Sequence, residues 1–180
     1  MEDGIIVAYY NSGLTRNVVA LPNRRGNILS HQRTLERPVE CEGIGLHSGE
    51  RAAMVLRPAP ANRGVLFRRM DLPGAPTIPA RPEFVVDTQY ATTIANQGAS
   101  VRTIEHIMSA LAGMGVDNVH VDLTGPEVPI MDGSALEFCK LIEEAGIEEQ
   151  EERVEELVIG RRIEISNGDK SLVIEPAEVF

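Results

Sequence analysis

At 180 residues the chain has room for one complete domain and part of another. Hydrophobic residues make up 43% and charged residues 24%, which excludes a disordered tail or a collagen-like repeat. With 4% aromatic residues and no Trp the core is largely aliphatic, and a net charge of -10 sets the chain against phosphate backbones, so no nucleic-acid partner is expected. Residues 1–30 have weak periodicity and read as an extension, partly disordered. Order begins near His31. Val39-Glu40-Cys41-Glu42 alternates as a half-buried strand, and the turn Gly43–Gly49 leads into a second strand, Ala52–Arg57, stopped by Pro58 and Pro60. Val65–Arg69 is a third, ended by a loop from Pro73 to Pro82. Phe84–Asp87 and Tyr90–Ile94 carry β-branched residues and read as further strands.

Beyond Gly98 the pattern turns helical. Thr103 is a suitable N-cap, Ile104, Ile107, Met108 and Leu111 share one face, and Gly113 and Gly115 stop the helix. Val116–Leu123 alternates as a strand, and a second helix runs from about Ser134 to Ala145. Between Glu137 and Glu156 nine Glu stand against Lys140 and Arg153, read as one solvated helical face and its exit. Leu157–Ile159 and Arg161–Ile165 are strands, and Asn167-Gly168 starts a hairpin with Ser171–Ile174. The expected class is α+β: a two-layer domain over residues 31–156, with a mixed, mostly antiparallel sheet covered by two helices. Residues 157–180 would then open a second, similar domain.

Cys41 and Cys139 have neither disulfide-scaffold nor metal-knuckle spacing, and fit a reducing cytoplasm. Ile5–Tyr10 is too short an apolar run to span a membrane and lacks the basic flank of a signal peptide. The sharpest chemical feature is Thr103-Ile104-Glu105-His106. Measured from Ile104 on a helical wheel, Glu105 lies about 100° and His106 about 200° away, so both leave the core face at the first turn. The positive end of a helix dipole favours a neutral imidazole, the form that ligates a metal, and a carboxylate beside it can take a proton from metal-bound water. A solvated surface pair fits the same residues.

A catalytic zinc needs about three protein ligands. His31, His47 and His120 are not followed four residues later by His, Asp or Glu, so residue types alone give at most a partial metal site. His120 and Asp122 share one face of a strand, either as polar outer face or as a contribution to a metal site. Gly43–Gly49 lacks the spacing of a dinucleotide loop and serves either as a tight turn or as a close approach to a ligand. His47 is its residue best placed to face a groove. Asp132 can turn back on its own backbone to start the second helix.

Six segments together carry a resemblance: Gln32–Leu35, Gly43–Gly49, Leu56–Val65, Thr103–His106, Ala110–Asn118 and Glu127–Ala135. In order and spacing they resemble the amino-terminal half of the zinc-dependent UDP-3-O-acyl-N-acetylglucosamine deacetylases of lipid A synthesis, over residues 31–175. The resemblance implies two similar α+β domains facing each other across an active site. It makes His106 the one zinc ligand of this domain and Glu105 the general base. It puts a His-x-x-x-Asp pair of ligands, a later catalytic His and the acyl-chain passage in a second domain of which only the opening hairpin is present. His47, Gln89 and Tyr90 are the candidate substrate-binding residues. The expectation is a deacetylase half inactive by itself, either truncated from a longer chain or completed by a carboxy-terminal-half partner chain, and prone to self-association. The alternative is a non-catalytic homologue that binds a sugar nucleotide or regulates an enzyme.

Overall fold

The computed structural model describes residues 5–11, 16–20, 31–154 and 159–177, the first two stretches by backbone course alone. In chain order β1 (Ile5–Asn11) and β2 (Arg16–Ala20) come first, then β3 (His31–Leu35), β4 (Val39–Ile44), β5 (Arg51–Pro58), β6 (Val65–Arg69) and β7 (Thr77–Pro79). A 3-10 turn at Pro82–Phe84 precedes β8 (Val85–Asp87), β9 (Thr93–Asn96) and β10 (Ala99–Arg102). Helix α1 (Glu105–Met114), β11 (Val119–Leu123), α2 (Leu136–Ala145) and β12 (Ile147–Arg153) follow, then β13 (Ile163–Asn167) and β14 (Lys170–Ala177). The chain divides into two compact units: His31–Arg153, and Met1–Ser30 with Val154–Phe180.

The larger unit is built on a five-stranded sheet in the order β4-β5-β11-β6-β7. Strand β11 lies at its centre, antiparallel to β5 and parallel to β6, with Val121 opposite Leu56 on one side and Phe67 on the other. The alternation of β5 turns Ala52, Met54 and Leu56 inward, to meet Val119 and Val121 of β11. Onto this face α1 lays Ile107, Ala110 and Leu111, and α2 lays Phe138, Ile142 and Ala145, all in one core with Phe67 and Ile78. Each fully buried Leu, Ile or Phe contributes about 1.5–3 kcal/mol. β8, β9 and β10 form a small three-stranded sheet, and β12 pairs with β3. The class is α+β, with mostly antiparallel sheets rather than a single one.

Three of the resembling segments meet in one hydrogen-bond network. Asn118, 1% exposed, donates from Nδ2 to Gln32 Oε1 and Gln150 Oε1 (both 2.8 Å) and accepts the Gly64 N–H (2.8 Å). Gln32 in turn holds Asn62 through both ends of its amide, and Thr34 Oγ1 links Asn118 O to the Ala59 N–H. Arg33 donates to Gly115 O (2.9 Å) and Met114 O (3.0 Å), so its charge sits on the last carbonyls of α1. Gly115, at φ +69, ends that helix in the left-handed conformation.

Several elements depart from the sequence reading. Ile147–Arg153 is a strand rather than the exit of a helix: Ile147, Glu148 and Glu149 pair with Leu35, Thr34 and Arg33, and the ladder outweighs the low strand propensity of Glu. The Pro73–Pro82 loop contains β7, and the stretch leading to α1 contains β10, both too short for periodicity to reveal. The Tyr90–Ile94 strand begins only at Thr93, because Tyr90 is a turn residue at φ +63. Helix α2 begins at Leu136, two residues after Ser134. There Asp132 Oδ1 accepts the Ser134 N–H (2.9 Å) and hydroxyl (2.8 Å), and Ser134 Oγ accepts the Leu136 N–H.

In the smaller unit the order is β13-β14-β1-β2, all antiparallel, and β13 and β14 form the hairpin read from Asn167-Gly168. Within the segment read as an extension, then, Ile5–Asn11 and Arg16–Ala20 are strands; the run Ile5-Ile6-Val7-Ala8-Tyr9-Tyr10 has the β-branched and aromatic content for it. Leu157 and Val158 of the strand read at 157–159 lie outside the described residues.

Candidate active site

Strand β10 ends at Arg102, and the chain must turn sharply to enter α1. Thr103 makes that turn at φ +60. For a β-branched residue this conformation is an outlier that costs about 1–3 kcal/mol and persists only where the surroundings enforce it. Here Thr103 is 2% exposed and its hydroxyl donates to Glu127 Oε1 at 2.6 Å. On the backbone, Arg102 N–H reaches Pro126 O (2.9 Å) and Val128 N–H reaches Arg102 O (3.1 Å), so the turn is fastened to the Pro126–Val128 segment. Thr103 is therefore not the N-cap the sequence suggested. Its hydroxyl is engaged by Glu127, and Ile104 precedes the first helical residue without a side-chain cap.

Glu127 is itself only 2% exposed. Besides Thr103 it accepts the Ser48 N–H on Oε2 (2.8 Å) and the His47 N–H at 3.1–3.2 Å from both oxygens. Burial pushes this carboxyl up, but hydrogen bonds from Thr103, Ser48 and His47 prevail and hold it at about 2. The glycine-rich loop thus wraps a carboxylate of its own chain. A Cβ on Gly45 would overlap the Glu127 carboxylate and the Ser48 hydroxyl, and one on Gly43 would lie 2.9 Å from Pro129 Cβ. Of the two readings left open for Gly43–Gly49, the close approach is real but its object is Glu127.

Glu105 and His106 occupy the first turn of α1, both half-buried. Glu105 Oε2 accepts the Thr92 N–H at 3.0 Å, and Oε1 has no partner among the described residues. Gln89 and Tyr90 lie just before Thr92 in the same turn, both exposed, with Tyr90 91% accessible. The His47 side chain is exposed while its N–H is held by Glu127. Thr92 links the Gln89–Tyr90 turn to Glu105, and Glu127 links His47 through Thr103 to the start of α1. The sequence reading missed Glu127 and misassigned Thr103.

His120 and Asp122 do not form a metal pair. Asp122 is claimed by Arg57 Nε (2.8 Å) and by both Nε and NH2 of Arg68. Burial and the Arg68 charge push the His120 imidazole down, with Arg63 adding to them and Asp122 opposing. Among the described residues no group of three or more His, Cys, Asp or Glu could hold a metal ion. The donor set at α1, one imidazole beside one carboxylate, does not by itself fit a resident ion. No helix among the described residues is long and apolar enough to cross a membrane.

The domain is α+β and carries a Glu-His pair at the start of a helix, its Glu anchored by the Thr92 N–H. The chain belongs to the UDP-3-O-acyl N-acetylglycosamine deacetylase family, which it matches over residues 32–180. The UDP-3-O-acyl-N-acetylglucosamine deacetylase of Myxococcus xanthus is 51% identical over 150 residues, covering 83% of this chain and 48% of that protein. The enzymes of that name from Coxiella burnetii and an Anaeromyxobacter species are each 48% identical, again over 83% of this chain and 49% of theirs. The chain spans about half the length of the curated relatives it matches.

Proposed function

We propose that the chain is the amino-terminal half of a zinc-dependent deacetylase that hydrolyses the N-acetyl amide of UDP-3-O-acyl-N-acetylglucosamine in lipid A biosynthesis. One observation carries this reading within the family: the Glu105–His106 pair at the start of α1, with Glu105 fixed by the Thr92 N–H. Zinc would be held by His106 together with donors from a second domain, and would supply a Lewis acid that makes water nucleophilic near neutral pH. Glu105 would serve as the general base through Oε1, since Oε2 is engaged by the Thr92 N–H. The carboxylic acid so formed can return the proton to the departing sugar amine, giving acetate and free amine. His47, Gln89 and Tyr90, all exposed, are the residues proposed to contact the sugar nucleotide. The free thiols of Cys41 and Cys139 suit a reducing cytoplasm.

A single ligand does not retain a catalytic zinc, so these 180 residues by themselves are expected to be inactive and to need the donors of a His-x-x-x-Asp motif, from the same chain or from a partner. The test is acetate release by the purified chain, alone and mixed with the separately produced second half of the Myxococcus xanthus enzyme. Activity only in the mixture, abolished by Glu105→Gln and by His106→Ala, supports the proposal. Activity of the chain alone refutes the dependence. No activity in the mixture, together with binding of the UDP-sugar by the chain, favours a non-catalytic sugar-nucleotide-binding role.

A further inference from the structure

Nothing in a Pro-flanked acidic residue suggests a role in orienting the Glu-His pair, yet the geometry around Glu127 does. Two segments distant in sequence, the His47–Ser48 loop and the Thr103 turn, meet on this one buried carboxylate. Thr103 has the left-handed backbone that aims the chain from β10 into α1, and Glu105 and His106 are the second and third residues after it. No other side chain among the described residues bonds the Thr103 hydroxyl. We propose that Glu127 is the positioning residue of the Glu105–His106 pair: by holding Thr103 Oγ1 and the His47 and Ser48 N–H groups together, it sets the direction in which α1 presents both side chains and ties the His47 loop to it. It touches no reacting atom. Gly45 is the counterpart of this device, since any side chain there would displace the carboxylate. The inference rests on the reading that Glu105 and His106 carry the chemistry.

The experiment compares Thr103→Val, which removes one hydroxyl at constant shape, with Thr103→Ser, which keeps it, and with Glu127→Gln. Val121→Ala serves as a control that truncates the core at a fully buried position away from the turn. In the 180-residue chain, heteronuclear NMR follows the His106 imidazole signals and the exchange rates of the His47 and Ser48 amides. Thr103→Val and Glu127→Gln are expected to move the His106 signals and Thr103→Ser to restore them. Glu127→Gln also speeds His47 and Ser48 exchange at least about 10-fold, as a lost acceptor exposes those amides. Val121→Ala leaves the His106 signals in place. Folded Thr103→Val and Glu127→Gln proteins with unmoved His106 signals overturn the proposal, as does a Val121→Ala control that moves them equally. In the mixture with the second half, Thr103→Val lowers kcat about 10–100-fold with KM nearly unchanged, the loss typical when an orienting partner of a metal-site residue is removed. If the wild-type mixture is inactive, the proposed function fails and the NMR comparison alone decides the role of Glu127.

Discussion

Glu127→Gln keeps the shape of the side chain and removes its charge, and the structure sets what that removal costs at each pH. The folded carboxyl is held at about 2 against an ordinary 4.5. A depressed carboxylate stabilises the fold fully above its unfolded value and loses that contribution as pH falls toward its folded value. At about 1.4 kcal/mol per unit, the shift corresponds to about 3 kcal/mol at pH 7, nearly the same at pH 5, and less than half of that at pH 3. The Gln variant has no such contribution, and the remaining carboxylates titrate alike in both proteins. The stability gap therefore isolates this one group. Urea unfolding followed by far-UV circular dichroism at pH 7, 5 and 3 measures it. The gap should hold between pH 7 and 5 and shrink to less than half at pH 3. A gap unchanged down to pH 3, or one below about 1 kcal/mol at pH 7, would refute the assignment of a buried, ionised, fully bonded Glu127.

Asn118→Ala strips three hydrogen bonds from a buried network and should destabilise the chain by about 2–4 kcal/mol in the same urea assay; a loss below 0.5 would mean that water replaces the side chain (about 1–3 kcal/mol per orphaned group). Gly45→Ala should cost more than Gly49→Ala: the first overlaps Glu127, whereas the second has open space and only its φ of +67 to resist it, a strain of about 1–2 kcal/mol. Equal midpoints for the two would show that the loop yields at Gly45. Burial pushes the Cys41 thiol up to about 11 from 9.0, so its iodoacetamide alkylation at pH 8 should run at least about 100-fold slower than that of an unperturbed thiol. Rapid labelling at Cys41, located by mass spectrometry, would contradict that burial.

The sequence was most legible where one element's own residues settle its state. β5, with Ala52, Met54 and Leu56 alternating inward, and both amphipathic helices follow from side-chain periodicity, and the position of Glu105 and His106 follows from the helix start. What stayed hidden depends on partners distant in the chain. β12 is a strand because β3 offers it a ladder and because His31 and Asn118 take up Glu149 and Gln150, across separations that no local pattern reports. Glu127 shows the same limit. Its acidity and flanking prolines suggest solvent, and two of its three donors, His47 and Ser48, lie some eighty residues upstream in a loop whose glycines were the only trace of the approach. Thr103 looked like a cap because its chemistry suits one, but its left-handed backbone sits one residue too early and turns its hydroxyl to Glu127.

The central lane of the five-stranded sheet has a consequence for how the chain reaches this fold. β5 and β6 are near neighbours in sequence, yet they are separated by β11, which lies about fifty residues further on and pairs parallel with β6. Until residue 123 has been made, two apolar strands hold open hydrogen-bonding edges toward an empty slot, and such edges invite pairing with other chains. Closure of that slot is a long-range event, so assembly of the sheet should be slow relative to formation of α1 and α2. The strand that closes the sheet is thereby also the one whose arrival ends the period in which those edges stand open.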